Sequence, residues 1–181
     1  MKRRKAKPVE KNITLIFALI LIPVILLVAA CGQKKAEPKS LQKEDLKFAY
    51  NNKTFELDSD VQTLLDELGS DYEFSEAPSC VYEGTDKAYE YSGIAIYTYP
   101  LNGKNLIDEI VLTDSQFKTD KGVKVGSTKE DIINAYGENY IEEGDMLTYR
   151  LNNAQADSPC IYFILNNGSV ESISYYSASN M

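Results

Sequence analysis

Histidine and tryptophan are absent from this 181-residue chain, and cysteine occurs only three times. Without imidazole, the usual charge relays and most zinc sites have no means of forming. Basic residues are scarce as well, and those present are unevenly placed. Lys and Arg total 19 against 27 Asp and Glu. Residues 1–30 hold six of the bases and one glutamate, so residues 31–181 carry 13 basic and 26 acidic side chains, a net charge of −13. Such a field repels nucleic acid, which excludes a basic-patch role. Long apolar runs are confined to one place, residues 13–30.

That run follows a basic start: Lys2, Arg3, Arg4, Lys5, Lys7 and Lys11 against Glu10. A charged flank, an apolar stretch and small residues before a cut describe a secretory signal. Val28-Ala29-Ala30-Cys31 resembles the lipobox of bacterial lipoproteins. The resemblance implies that diacylglycerol is transferred to the Cys31 thiol and that residues 1–30 are then removed. The mature chain would be held to the membrane by the lipid on Cys31. The alternative is an uncleaved transmembrane anchor, since 18 residues is the lower edge of a spanning helix. Either way the basic flank stays inside and the remainder is extracytoplasmic. Residues 31–45 follow as lipidated terminus and polar, lysine-rich tether.

Beyond residue 45 the pattern predicts an α+β domain. Leu46, Phe48 and Tyr50 alternate, Asn51-Asn52 supplies a turn, and Phe55 and Leu57 alternate again. A helix follows, with Ser59 as N-cap, Gln62 closing a capping box, and a stripe of Val61, Leu64, Leu65 and Leu68 before Gly69. The same phrase returns 68 residues later: Val123 and Val125, Ser127 with Glu130, then Ile132, Ile133 and Tyr136 before Gly137. Strands are expected at 88–91, 94–99 and 106–112, then at 146–151, 161–165 and 170–176. Asn102-Gly103 and Asn167-Gly168 mark hairpin tips. The expectation is two tandem strand–helix–antiparallel-meander repeats, 46–119 and 120–181, forming one sheet with the helices on one side.

Repeats of this order resemble the β-lactamase-inhibitor protein and, per repeat, the outer-membrane assembly lipoprotein BamE. Three phrases are closer to a family of uncharacterised lipoproteins from Gram-positive Firmicutes. They are Ser79-Cys80-Val81-Tyr82-Glu83-Gly84-Thr85-Asp86-Lys87, Thr98-Tyr99-Pro100-Leu101, and Gly122-Val123-Lys124-Val125-Gly126-Ser127. That resemblance implies common descent over residues 46–176 and carries no activity.

Candidate chemistry is sparse. Cys80 and Cys160 are an even pair in an exported domain, and a bridge between them would close a loop of about 80 residues, worth about 4–5 kcal/mol. Two unpaired thiols, one of them buried, are the alternative. Acids recur at Asp58 and Asp60, at Asp66-Glu67 with Asp71, at Asp108-Glu109, and at Glu142-Glu143-Gly144-Asp145. None has the ligand spacing of a calcium loop, and no metal site or cofactor is expected. Tyr89 with Tyr91, and Tyr97 with Tyr99, each share a sheet face by their period of two. If the helices cover the face of Ile94 and Ile96, then Tyr97 and Tyr99 stand on the open side, where these tyrosines would offer a binding surface. The expectation is a non-enzymatic tethered module that binds a protein or envelope component. A carboxylate-based or cation-dependent envelope hydrolase is the alternative.

Overall fold

The chain divides into two compact units, residues 1–36 and 37–181. The structure, a computed structural model, describes residues 39–180. The expected signal segment, Cys31 and the expected tether up to residue 38 lie outside the described residues.

Described order begins earlier than the tether reading expected. Leu41 is buried with the domain core, a 3-10 turn spans Lys43–Leu46, and Lys121 pairs with Asp45 at 2.9 Å. One apolar side chain in an otherwise polar segment is enough to fasten it, because burying a leucine is worth roughly 1.5–3 kcal/mol. Two short strands follow, β1 (Phe48–Tyr50) and β2 (Lys53–Phe55). They form the expected hairpin through Asn51 and Asn52, both at positive φ.

The remaining strands are β3 (Glu73–Pro78), β4 (Thr85–Tyr91), β5 (Ile94–Leu101), β6 (Lys104–Leu112), β7 (Ile141–Glu143), β8 (Met146–Arg150), β9 (Cys160–Asn166) and β10 (Ser169–Tyr176). They make one antiparallel sheet in the order β3-β4-β5-β6-β10-β9-β8-β7. Helix α1 (Gln62–Leu68) precedes the first four strands and α2 (Lys129–Tyr136) the last four. The fold is α+β and dominated by antiparallel sheet. Asn102-Gly103 and Asn167-Gly168 have φ > 0 at both positions, the two-residue turn whose twist matches the flanking strands.

Both helices bury their stripes in one core. Leu64, Leu65, Ile132 and Tyr136 join Ile94, Ile96, Ile110, Leu112, Ile161, Phe163 and Ile173 in a single apolar cluster. The caps differ from expectation. Ser59 Oγ donates to the Glu56 carbonyl, and α1 starts behind Val61 with no side-chain cap. For α2 the capping box is one residue later than Ser127 and Glu130, on Thr128 and Asp131. Ser127 is engaged in pairing: its carbonyl accepts from Val170 N–H and its hydroxyl from Lys124 N–H. That pairing delays the helix by one position. Val123 and Val125 make no strand; a single bridge, Lys118 to Lys124, replaces it. Strands β3 and β7 were not expected, since neither contains a buried residue.

Candidate binding face

Register decides which side chains share the sheet face away from the core. Ser75 pairs with Ala88, Ala88 with Tyr97, Tyr97 with Glu109, Glu109 with Tyr176 and Tyr176 with Cys160. Directly paired residues point the same way, so these form one row across the sheet. An adjacent row runs Ala95, Val111, Ser174, Tyr162 and Thr148. The residues are mostly small or polar, which leaves a shallow floor between tyrosines.

A bulge shapes one end of this floor. Tyr97 pairs with Glu109 but Thr98 pairs with Ile107, so Asp108 is the extra residue in β6. A bulge re-aims the chain, and here it puts two consecutive carboxylates outside the core cluster. Asp108 is nonetheless buried, because the C-terminal residues lie against it. Ser177 N–H donates to the Asp108 carbonyl at 2.9 Å and Ser177 Oγ to Asp108 Oδ1 at 2.7 Å. Burial raises the Asp108 pKa above the usual carboxylate range, the charges on Glu109, Asp58 and Asp86 add to it, and the Ser177 hydrogen bond opposes it. Glu109 in turn accepts a short hydrogen bond from the Tyr162 hydroxyl, joining the two rows.

The result is an open groove of about 450 Å³ lined by Asp86, Tyr97, Asp108, Glu109, Tyr176 and Asn180. Asp86 Oδ1 and Asn180 Oδ1 are buried acceptors with no donor among the described residues. Three carboxylates, Asp86, Asp108 and Glu109, make the groove a site for positive charge. Among the described residues no three metal-binding side chains converge. In the Glu142-Glu143-Gly144-Asp145 segment, Glu142 is held by Lys129 at 2.7 Å.

The four tyrosines singled out in the sequence do not form one surface. Tyr97 is on the far face and 36% exposed. Tyr99 shares that side but is buried: Tyr82 stacks on it with ring centroids 5.1 Å apart, and its hydroxyl donates to Asp58 Oδ1 at 2.9 Å. Tyr82 is fixed in turn by donating to the Ser179 carbonyl. Burial, with the Asp58 carboxylate beside it, pushes Tyr99 up to about 12. Tyr89 and Tyr91 pair with Ile96 and Ile94 and therefore stand on the isoleucine face. Tyr89 is buried there, and Tyr91 donates to the Gly69 carbonyl behind α1. What the sequence reading missed is the contribution of Tyr162, Tyr176 and the C-terminal residues. The alternation Cys160, Tyr162, Ile164 along β9 was the available signal for Tyr162.

Cys80 is exposed, Cys160 is buried, and both are free thiols. Burial pushes Cys160 up to about 11, so it has no thiolate to offer as a nucleophile.

No protein-family model matches the chain, and no curated protein sequence matches it. Among solved structures it is similar to an extracellular protein containing an SCP domain from Bacillus anthracis str. Ames, at 12% identity and a TM-score of 0.42, over 66% of this chain and 43% of that one. It is also similar to the uncharacterized protein yfeY from Escherichia coli, at 16% identity and a TM-score of 0.39, over 64% of this chain and 86% of that one. The chain thus spans less than half the length of the first of these.

Proposed function

We propose that this chain is an extracytoplasmic lipoprotein, anchored by diacylglycerol on Cys31, whose domain is a tandem duplication acting as a non-enzymatic binding module. The observation that carries the reading is the far face of the eight-stranded sheet. Both helices pack into the core on the other side, and the far face keeps an acid-lined groove open. A sheet with one side solvated is ordinary; one lined by the three carboxylates of Asp86, Asp108 and Glu109 favours a positively charged partner.

The duplication is supported by the strand order, which reads the same from either edge toward the β6–β10 seam, and by the 68-residue offset of Leu64 to Ile132 and Gly69 to Gly137. On this reading the chain belongs with the uncharacterised Firmicutes lipoproteins that its phrases resemble.

The test uses the full-length chain in its native membrane, carrying a photo-crosslinking phenylalanine analogue at position 97 or, as a control, at position 124. A discrete crosslinked species from position 97 alone supports the module. No adduct, or the same adducts from both positions, counts against it. A second reading is a carboxylate hydrolase, favoured by the raised pKa of Asp108 inside an acid-lined groove. Release of envelope fragments by the wild type, lost in Asp108→Asn, would favour that reading instead.

A further inference from the structure

At one edge of the large sheet, β3 is six residues long and exposed throughout, and among the described residues its outer backbone faces no other strand. Pro78 at its end has no N–H to leave unpaired. Phe74 on this strand is 51% exposed. Its ring is 5.4 Å from Tyr89, which is 5.3 Å from Tyr72, which is 5.1 Å from Tyr91. Four aromatic rings therefore meet at the free edge, beside the C-terminal end of α1.

Acids surround them. Asp71, Glu73 and Glu90 line a hollow of about 540 Å³ with Tyr72 and Tyr91. Asp66 lines another of about 410 Å³ with Tyr72 and Tyr89. Glu76 is two residues from Phe74, on the same side of the strand. None of these five acids has an ion pair among the described residues, and no cation lies over these four rings.

The opposite edge of the sheet provides the comparison. Tyr140 lies 68 residues after Tyr72, and there Lys129 Nζ sits 5.5 Å from the ring centroid while pairing with Glu142 at 2.7 Å. The position 68 residues before Lys129 is Val61. At the β7 edge the chain puts its own ammonium between ring and carboxylate; at the β3 edge the neighbouring ammonium, Lys87 opposite Glu76, makes no ion pair among the described residues and lies over none of the four rings.

We infer that the β3 edge is a docking site for an extended segment of a partner protein with Lys or Arg at alternate positions. The segment would add to the sheet as a ninth strand, its main chain pairing with β3 and its cations lying over Phe74 and against Glu76. A second copy of this chain is the wrong occupant, since Glu73 and Glu76 would meet like charges. The inference rests on the reading of the chain as a binding module and names the chemistry of the partner.

The experiment records backbone amide shifts and hydrogen exchange of the isotopically labelled full chain in detergent micelles. The probe is a capped octapeptide of alternating lysine and threonine. Expected are shifts and slowed exchange along β3, with Phe74→Ala weakening binding about two- to fivefold, the scale of an exposed cation–π contact. The same peptide N-methylated at every second amide should lose the β3 effect, and an alternating glutamate–threonine peptide should not bind. Equal binding of the N-methylated peptide, or no shift with millimolar probe, overturns the inference. Shifts confined to the surroundings of Tyr97 and Glu109 also overturn it, while leaving the far-face module standing. That module fails separately, by the absence of a specific adduct from position 97.

Discussion

Gly69 and Gly137 end the two helices in nearly the same backbone conformation, φ 88° and ψ −165° against φ 91° and ψ −170°. Non-glycine residues rarely adopt this region, and alanine there costs on the order of 1–3 kcal/mol of strain. The surroundings differ. A Cβ on Gly69 would meet nothing within 4 Å, whereas one on Gly137 would stand 2.6 Å from the Lys39 carbonyl oxygen and 2.7 Å from Lys39 Cβ. The segment holding Lys39 must then move, and two residues later it buries Leu41. Freeing Leu41 costs up to about 1.5–3 kcal/mol more. Gly137→Ala should therefore exceed Gly69→Ala by about 1–3 kcal/mol. Urea unfolding of a soluble form starting at residue 32, followed by circular dichroism, reads this directly. At roughly 1–3 kcal/mol per molar urea for a small domain, the two midpoints separate by about 1 M. Leu41→Ala should remove most of the excess in a double-mutant cycle. Equal midpoints, or an excess untouched by Leu41→Ala, would refute the claim that residues 39–41 are fastened to the domain.

Three further outcomes are expected. Asp108 holds its proton more tightly in the fold than in the unfolded chain, so its contribution favours folding at low pH and is lost as pH rises through the raised folded pKa; Asp108→Asn should gain stability relative to wild type between pH 4 and 7, and a pH-independent difference in unfolding midpoints would contradict this. At pH 8 a thiol reagent should label exposed Cys80 and spare buried Cys160 until urea is added; mass spectrometry showing both labelled in the native fold would contradict it. Leu64→Ala and Ile132→Ala, both at fully buried positions, should each cost about 2–5 kcal/mol in the same urea assay, and a cost below 1 kcal/mol for either would sever that helix from the core.

Some of this architecture is plain in the residues, and some depends on pairing that no local pattern encodes. Asn-Gly at two hairpin tips and the leucine and isoleucine stripes are local signals, and the strands and helices around them fall where those signals put them. Cap placement is less local. Ser127 with Glu130 and Thr128 with Asp131 have the same spacing, and the choice is made by Val170, which engages Ser127 from a strand 43 residues further along the chain. Strand β3 has no buried residue, so no alternation marks it. The four tyrosines show the limit best. Period two sorts each pair onto a face, but Tyr89 and Tyr91 face the core only because their partners are Ile96 and Ile94. Likewise Tyr99 is hidden by Tyr82, itself held by Ser179. The groove depends on a one-residue bulge at Asp108, invisible until β5 and β6 are in register.

The proposed lipid anchor on Cys31, which would hold this acidic domain outside the cell, is tested most directly by the intact mass of the chain recovered from its native membrane. It predicts a polypeptide beginning at Cys31, lacking residues 1–30 and heavier than residues 31–181 by a thioether-linked diacylglycerol that survives hydroxylamine. A chain that retains Met1, or one with an unmodified Cys31 thiol, would contradict it.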